Sequence, residues 1–83
     1  MARTVLIRYY AQLRDALKTS SEELELEFPA LESEVLGRLA ELHPRQRDLL
    51  LASRVAVDDG YLDGGSAIVA ATALDIISPV SGG

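Results

Sequence analysis

The end of the chain holds the residues whose types and spacing point most directly to chemistry. The sequence closes on Ser78-Pro79-Val80-Ser81-Gly82-Gly83, directly after an apolar, strand-like segment. Paired glycines suit packed structure poorly, because glycine loses the most conformational freedom on ordering. They suit a peptide end that threads into a narrow pocket. A cloning scar or a frayed end is the bland explanation, and the preceding strand-like segment favours the functional one.

The reactive group that this tail would present is the α-carboxylate of Gly83. A carboxylate is ionised at neutral pH and is then a poor electrophile, so its reaction requires conversion to a mixed anhydride such as an acyl-adenylate. The missing side chain of Gly83 leaves the carbonyl carbon open to attack. Pro79 has no N–H and would release the tail from a sheet. We therefore expect a folded domain over 1–78 and a flexible tail over 79–83, which reaches about 16–18 Å when extended.

Ile77 is a candidate anchor for a partner protein beside this tail. Side chains alternate along the strand predicted for 73–77, so Leu74 and Ile76 share one face while Asp75 and Ile77 share the other. Because Asp75 is expected to face water, Ile77 becomes an apolar residue on the wet face. One exposed apolar side chain usually needs no explanation, so the anchor and the incidental residue both remain open.

The remaining candidate sites are weaker. Asp58, Asp59 and Asp63 are spaced somewhat like a calcium loop, but the acidic residue required at its last position is replaced by Val69. The sequence has no cysteine and one histidine, His43, which excludes a disulfide framework and a thiol nucleophile and argues against a zinc site. We expect no bound metal or cofactor, and no catalysis by this chain alone.

Composition narrows the class of protein and of partner. The chain has 83 residues, 48% of them hydrophobic, and a net charge of −5, as expected for one globular domain that does not bind nucleic acid. We find neither a membrane-spanning run nor a signal peptide, and so expect a cytoplasmic protein. No basic residue follows Arg54. The acidic final third fits a solubilising surface or steering toward a basic partner.

Hydrophobic periodicity predicts the elements that must position the tail. Apolar residues alternate in the predicted strands and recur at helical spacing in the predicted helices. The predicted elements are strands at 4–10, 23–28, 54–57, 61–62 and 73–77, and helices at 11–17 and 32–43 with a further helical turn in 45–51. The residues predicted to face inward are Leu24, Leu26, Phe28, Leu74 and Ile76. The other apolar residues are predicted to share one face of their element: Val5, Ile7 and Tyr9 in the first strand, Leu13 and Leu17 in the short helix, and Val35, Leu36, Leu39 and Leu42 in the main helix.

This order of elements predicts an α+β protein with the β-grasp, or ubiquitin-like, arrangement. It would contain a mixed sheet of four to five strands with one main helix packed across it. His43 and Pro44 end that helix, where a capping role is expected for His43.

With the tail in view, the chain resembles the small subunits of molybdopterin synthase, which are sulfur carriers. The tail Pro79-Val80-Ser81-Gly82-Gly83 is similar to that family's terminal Pro-Pro-Val-Ser-Gly-Gly. Weaker similarities follow in the right order, at 8–11, 43–44 and 55–61. The chain departs from the family at Ser78, where the first proline of the pair usually stands, and at 71–73, where a Gly-Asp-Glu turn is usual.

The resemblance implies a mechanism and partners. An E1-like adenylating enzyme would use ATP to adenylate Gly83, and a sulfur donor would convert the adenylate to a thiocarboxylate. The tail would then enter the large catalytic subunit of the synthase, in an expected heterotetramer, and donate sulfur to a cyclic pterin phosphate to form the molybdopterin dithiolene. The chain would be a subunit and cosubstrate of this sulfurtransferase.

Other functions remain open. A carrier of the same fold could serve another pathway, such as thiamine synthesis. A ubiquitin-like modifier would use the same adenylate but end in an isopeptide bond to a lysine. A plain binding module would leave Gly83 unreacted.

Overall fold

The computed structural model describes residues 2–57, 60–61, 67–68 and 73–79. Strands and helices follow the predicted order, with two additional short strands. The elements are β1 (Ala2–Tyr9), α1 (Ala11–Leu17), β2 (Ser21–Glu27), β3 (Ala30–Leu31), α2 (Glu32–Leu42), a 3-10 turn (Pro44–Gln46), α3 (Arg47–Leu51), β4 (Arg54–Val57), β5 (Gly60–Tyr61), β6 (Ala67–Ile68) and β7 (Ala73–Ile77).

The main sheet is mixed and places the last strand near its centre. Its order is β2-β1-β7-β4-β5, while β3 and β6 form a separate antiparallel pair. Strand β1 runs antiparallel to β2 and parallel to β7, and β7 runs antiparallel to β4. This five-stranded sheet confirms the predicted mixed α+β architecture.

The core lies between one face of the sheet and the helices. Alternating residues of β1, β2 and β7 supply the sheet side, and one stripe of α2 covers them. Leu17, Phe28, Leu49 and Val57 pack against this core while remaining partly exposed. The core residues are Val5, Ile7, Tyr9, Leu13, Leu24, Leu26, Ala30, Val35, Leu36, Leu39, Leu50, Val55, Ile68, Leu74 and Ile76.

Leu42, predicted to share the apolar face of the main helix, lies outside this core with 50% of its surface exposed. The buried stripe of α2 is centred between Leu36 and Leu39. At 3.6 residues per turn, Leu42 falls at the margin of that stripe, and it lies in the last turn of the helix. Ala40, at 4% exposure, is buried instead.

Both ends of α2 are fixed by specific contacts. At the N-terminal end, Glu32 Oε2 accepts a hydrogen bond from the backbone N–H of Val55 at 2.8 Å and another from Arg54 Nε at 3.0 Å. These bonds tie the start of the helix to β4, which in turn pairs with β7. At the other end, the backbone N–H of His43 donates to the Leu39 carbonyl at 2.9 Å before Pro44 turns the chain.

Candidate functional site

The chain leaves the sheet immediately after β7. The ladder between β4 and β7 ends at the pair Arg54 and Ile77, and Ser78 and Pro79 follow outside any strand. Pro79 is exposed, consistent with its predicted role at the exit from the sheet. The other tail residues predicted as functional, Val80, Ser81, Gly82 and Gly83, lie outside the described residues.

The alternation predicted for β7 is confirmed. Leu74 and Ile76 are each 0% exposed, in the core. Ile77 points to the opposite face and is half-buried. It therefore offers apolar surface beside the start of the tail, while its predicted contact with a partner stays a prediction.

Asp75 shares the outer face with Ile77 but makes more contacts than a solvent-facing carboxylate would. Its Oδ1 accepts a hydrogen bond from Arg8 Nε at 2.6 Å and another from the Tyr10 hydroxyl at 3.0 Å. The Asp75 side chain is 24% exposed. The hydrogen bond to Asp75, above all, raises the pKa of Tyr10.

This polar cluster adjoins apolar surface on the outer face of the sheet. Leu6 is 38% exposed and Tyr10 is 42% exposed. Leu6 lies opposite Ala73 in the parallel ladder, so apolar side chains flank the ion pair. The outer face of β1 and β7 therefore combines exposed apolar area with an ion pair beside the start of the tail. Such a surface could bind a partner protein.

A second cluster lies on the inner face of the sheet, at the end of β1. It joins β1, β2 and the C-terminal end of α2. The Tyr9 hydroxyl donates to Glu22 Oε2, and His43 Nε2 lies 2.6 Å from the same oxygen. The rings of Tyr9 and His43 meet edge to face, with centroids 6.4 Å apart. The sequence pattern predicted only a helix cap at His43, whereas its side chain also reaches the edge strand β2.

This cluster stabilises the packing between its elements and shows no reactive group. Burial, followed by the hydrogen bond and charge of Glu22, raises the pKa of Tyr9, which is 1% exposed. Tyr9 therefore keeps its proton at neutral pH and acts as a hydrogen-bond donor, not as a nucleophile.

The described residues show no cluster of three or more His, Cys, Asp or Glu arranged to hold a metal ion. Asp58, Asp59 and Asp63, whose spacing is somewhat like that of a calcium loop, lie outside the described residues. Within the described part of the chain, no helix has the length and apolar character needed to cross a membrane.

Comparison with known proteins identifies the fold. No protein-family model matches the chain, and no curated protein is significantly similar. A Pyrococcus furiosus protein, whose name proposes it as subunit 1 of a molybdopterin converting factor, has a TM-score of 0.72 and 19% identity over 93% of this chain and 98% of its own. The Haloferax volcanii protein HVO 2177 has a TM-score of 0.74 and 20% identity over 99% and 88%. SAMP1 from Haloferax volcanii has a TM-score of 0.74 and 19% identity over 98% and 100%.

These solved structures cover nearly the whole chain at low sequence identity, so they establish architecture. Together with the mixed sheet, the covering helix and the central position of β7, they confirm the predicted fold class. The chain has the β-grasp fold of small ubiquitin-like proteins.

Proposed function

We propose that this protein is the sulfur-carrying small subunit of a molybdopterin synthase, with Gly83 as the residue that carries sulfur. The observation that carries the proposal is the exit from the sheet. A central strand of a β-grasp domain ends at the half-buried Ile77 and continues through an exposed Pro79 into the sequence Val80-Ser81-Gly82-Gly83. A rigid domain would thereby present a narrow chain end.

The proposed reaction begins with activation of Gly83. Its carboxylate oxygen attacks the α-phosphorus of ATP in an adenylating enzyme, and pyrophosphate leaves. A donor at the oxidation level of sulfide then attacks the acyl carbon, AMP leaves, and a thiocarboxylate remains. ATP is thus a substrate of the activating enzyme and not a cofactor held by this chain.

The tail, once it carries the thiocarboxylate, would deliver its sulfur inside the large catalytic subunit. The name of the Pyrococcus furiosus neighbour describes that protein as one subunit of a molybdopterin converting factor, which supports a partner subunit here. A dithiolene contains two sulfur atoms, so each product requires two carriers that each bear a thiocarboxylate. This requirement favours a heterotetramer. We propose that the outer face, with Ile77 beside the tail, contacts the large subunit while Gly83 reaches its active site.

A ubiquitin-like protein modifier is the second candidate, and the fold supports it equally. The three solved structures, SAMP1 among them, match the chain about equally well, with TM-scores of 0.72 to 0.74. The fold comparison therefore does not favour a synthase subunit over a modifier. A modifier needs the same exposed tail and the same adenylate, and differs in its last step, where a lysine amine attacks the acyl carbon. A sulfur carrier of another pathway, such as thiamine synthesis, shares the thiocarboxylate but not the large subunit.

Intact-mass spectrometry of the untagged protein from its native cells separates these functions. A carrier gives a species in which one oxygen is replaced by sulfur, and co-purification with the large subunit assigns it to molybdopterin synthesis. Conjugates to lysines of other proteins indicate a modifier. A variant lacking Gly83 is the matched control, since it should show neither product. A terminus that is unmodified in both proteins contradicts the proposal.

A further inference from the structure

Strand β2 forms one edge of the main sheet. The sheet order begins with β2, and within the described part of the chain its one paired neighbour is β1. The strand is seven residues long, Ser21–Glu27. Edge strands of this length present a row of backbone donors and acceptors to which another strand can add.

The register identifies which backbone groups face outward. The N–H of Tyr9 donates to the Ser20 carbonyl at 2.8 Å, and continuation of the register places these residues opposite each other. Hydrogen-bonded pairs alternate along an antiparallel ladder. The backbone groups of Glu22 and Leu24 therefore face β1, while those at odd positions, including Glu23, face away.

Thr19 supports the assignment of odd-numbered residues to the outward direction and shows where the open edge begins. Its hydroxyl donates to the Ser21 carbonyl at 2.8 Å and lies 3.4 Å from the Ser21 N–H. A side chain thus satisfies the first outward-facing residue of β2. The N–H and C=O groups of Glu23 and Glu25 are the next ones that face outward.

The side chains at this open edge are acidic. Glu23, Glu25 and Glu27 are all exposed, and they share the outer face of the sheet because they are two residues apart. Adding a second copy of β2 would bring like charges together across the new ladder, which is destabilising. The same carboxylates would attract lysine or arginine side chains on a different strand.

The inner side of the edge has room for the other side chains of such a strand. A shallow groove of about 360 Å³ lies between the end of β2 and α2. Buried Leu26 and Ala30 contribute to its lining, and Glu34 and Arg38 lie on its helical side. Glu25 and Glu27 also line the groove, so the part of an added strand that lies beside the end of β2 would direct its inward side chains toward it.

We propose that the β2 edge binds an extended basic segment of a partner protein, which adds to the sheet as a further strand. Lysine or arginine at every second position would pair with the carboxylates of Glu23 and Glu25. The intervening small apolar side chains would lie over Leu26 and Ala30. Strand β1 separates this edge from β7, so the edge is available while the tail is engaged.

The test uses a short fluorescein-labelled peptide that alternates lysine and valine, with binding followed by anisotropy and by amide hydrogen exchange. Binding should slow exchange at the outward-facing amides of Glu23 and Glu25, whereas the amides of Glu22 and Leu24 are already protected by β1. Reversal of both charges in the Glu23→Lys/Glu25→Lys variant should weaken binding by about tenfold or more.

Matched controls separate strand addition from general attraction between opposite charges. Asp15→Lys/Asp48→Lys changes the same charge on exposed helical positions outside the groove and should leave affinity nearly unchanged. Methylation of the peptide amides that would face β2 should abolish binding, and a peptide with its lysines grouped at one end should bind less tightly. Equal losses in both double variants, binding that survives methylation, or unchanged exchange at Glu23 and Glu25 would each overturn the proposal, as would a lack of binding.

Discussion

The Nε atom of Arg8 lies 2.6 Å from Oδ1 of Asp75, and the two residues face each other across the parallel ladder of β1 and β7. The ion pair therefore joins the two strands on their outer face, in addition to their backbone hydrogen bonds. Tyr10 donates to the same oxygen at 3.0 Å. Asp75 is two residues before Ile77, so this cluster fixes the strand that leads to the tail.

Replacing Asp75 with alanine should lower the pKa of Tyr10. The hydrogen bond from the Tyr10 hydroxyl to Asp75, and the negative charge of that carboxylate, raise the pKa in the wild type, and the substitution removes both. The titration of Tyr10 can be followed by NMR of its ring carbons at alkaline pH. Asp48→Ala removes an exposed carboxylate elsewhere and should leave Tyr10 unchanged. An unaltered Tyr10 titration in Asp75→Ala would contradict the geometry.

The buried phenol of Tyr9 should make the fold sensitive to alkaline pH. Its pKa is raised in the folded protein, chiefly by burial, while an unfolded tyrosine loses its proton near pH 10. Above about pH 10 the unfolded state therefore binds fewer protons, and the free energy of unfolding falls as pH rises further. Below that pH the contribution is complete. Urea unfolding above about pH 10 should show that the free energy of unfolding declines less steeply with pH for Tyr9→Phe than for the wild type. Equal declines would show that ionisation of Tyr9 does not limit stability at alkaline pH.

Glu22 should contribute to stability through its two partners. Glu22→Ala leaves the buried Tyr9 hydroxyl without its acceptor and removes the contact to His43, which should lower the free energy of unfolding by about 1–3 kcal/mol. Glu23→Ala, on the exposed face of the same strand, should change it by less than about 0.5 kcal/mol. Chemical denaturation of both variants gives the comparison, and equal effects would show that the cluster contributes nothing specific.

Local patterns predicted the elements that bury one regular face. Alternation in β7 placed Leu74 and Ile76 in the core correctly, and helical spacing identified α1 with the bounds that the structure shows. Strands β3 and β6 were missed because each has two residues. Strands this short show no alternation, and pairing between them depends on the tertiary fold.

Contacts between distant residues could not be predicted from such patterns. Asp75 was expected to face water because a lone carboxylate usually does, whereas the parallel ladder places it against Arg8, 67 positions away in sequence. His43 was expected to act only at a helix end, and Glu22 on β2 became its side-chain partner through the packing of α2. Leu42 has helical spacing, but its position at the end of the stripe left it exposed.

Ile77 and Ile76 should respond differently to substitution. Ile77 is half-buried on the outer face, so Ile77→Asp should leave the domain folded and weaken binding to the large subunit by about 1–3 kcal/mol. Ile76 is fully buried, and Ile76→Ala should lower the free energy of unfolding by about 2–5 kcal/mol. Calorimetric titration with the large subunit and urea unfolding provide the two measurements. Unfolding of Ile77→Asp would show that the residue belongs to the core.

Deleting Gly83 should abolish sulfur transfer while preserving the fold. Every proposed step passes through its carboxylate, whereas the core already ends with Ile76 on β7. Adding one residue after Gly83 should have the same effect, because the reactive carbon would then lie in a peptide bond. Binding to the large subunit should largely survive both changes, since Ile77 and the outer face remain. Single-turnover conversion of the pterin precursor by the precharged complex measures transfer, and thermal unfolding checks the fold. Wild-type conversion by the protein lacking Gly83 would eliminate the carrier function.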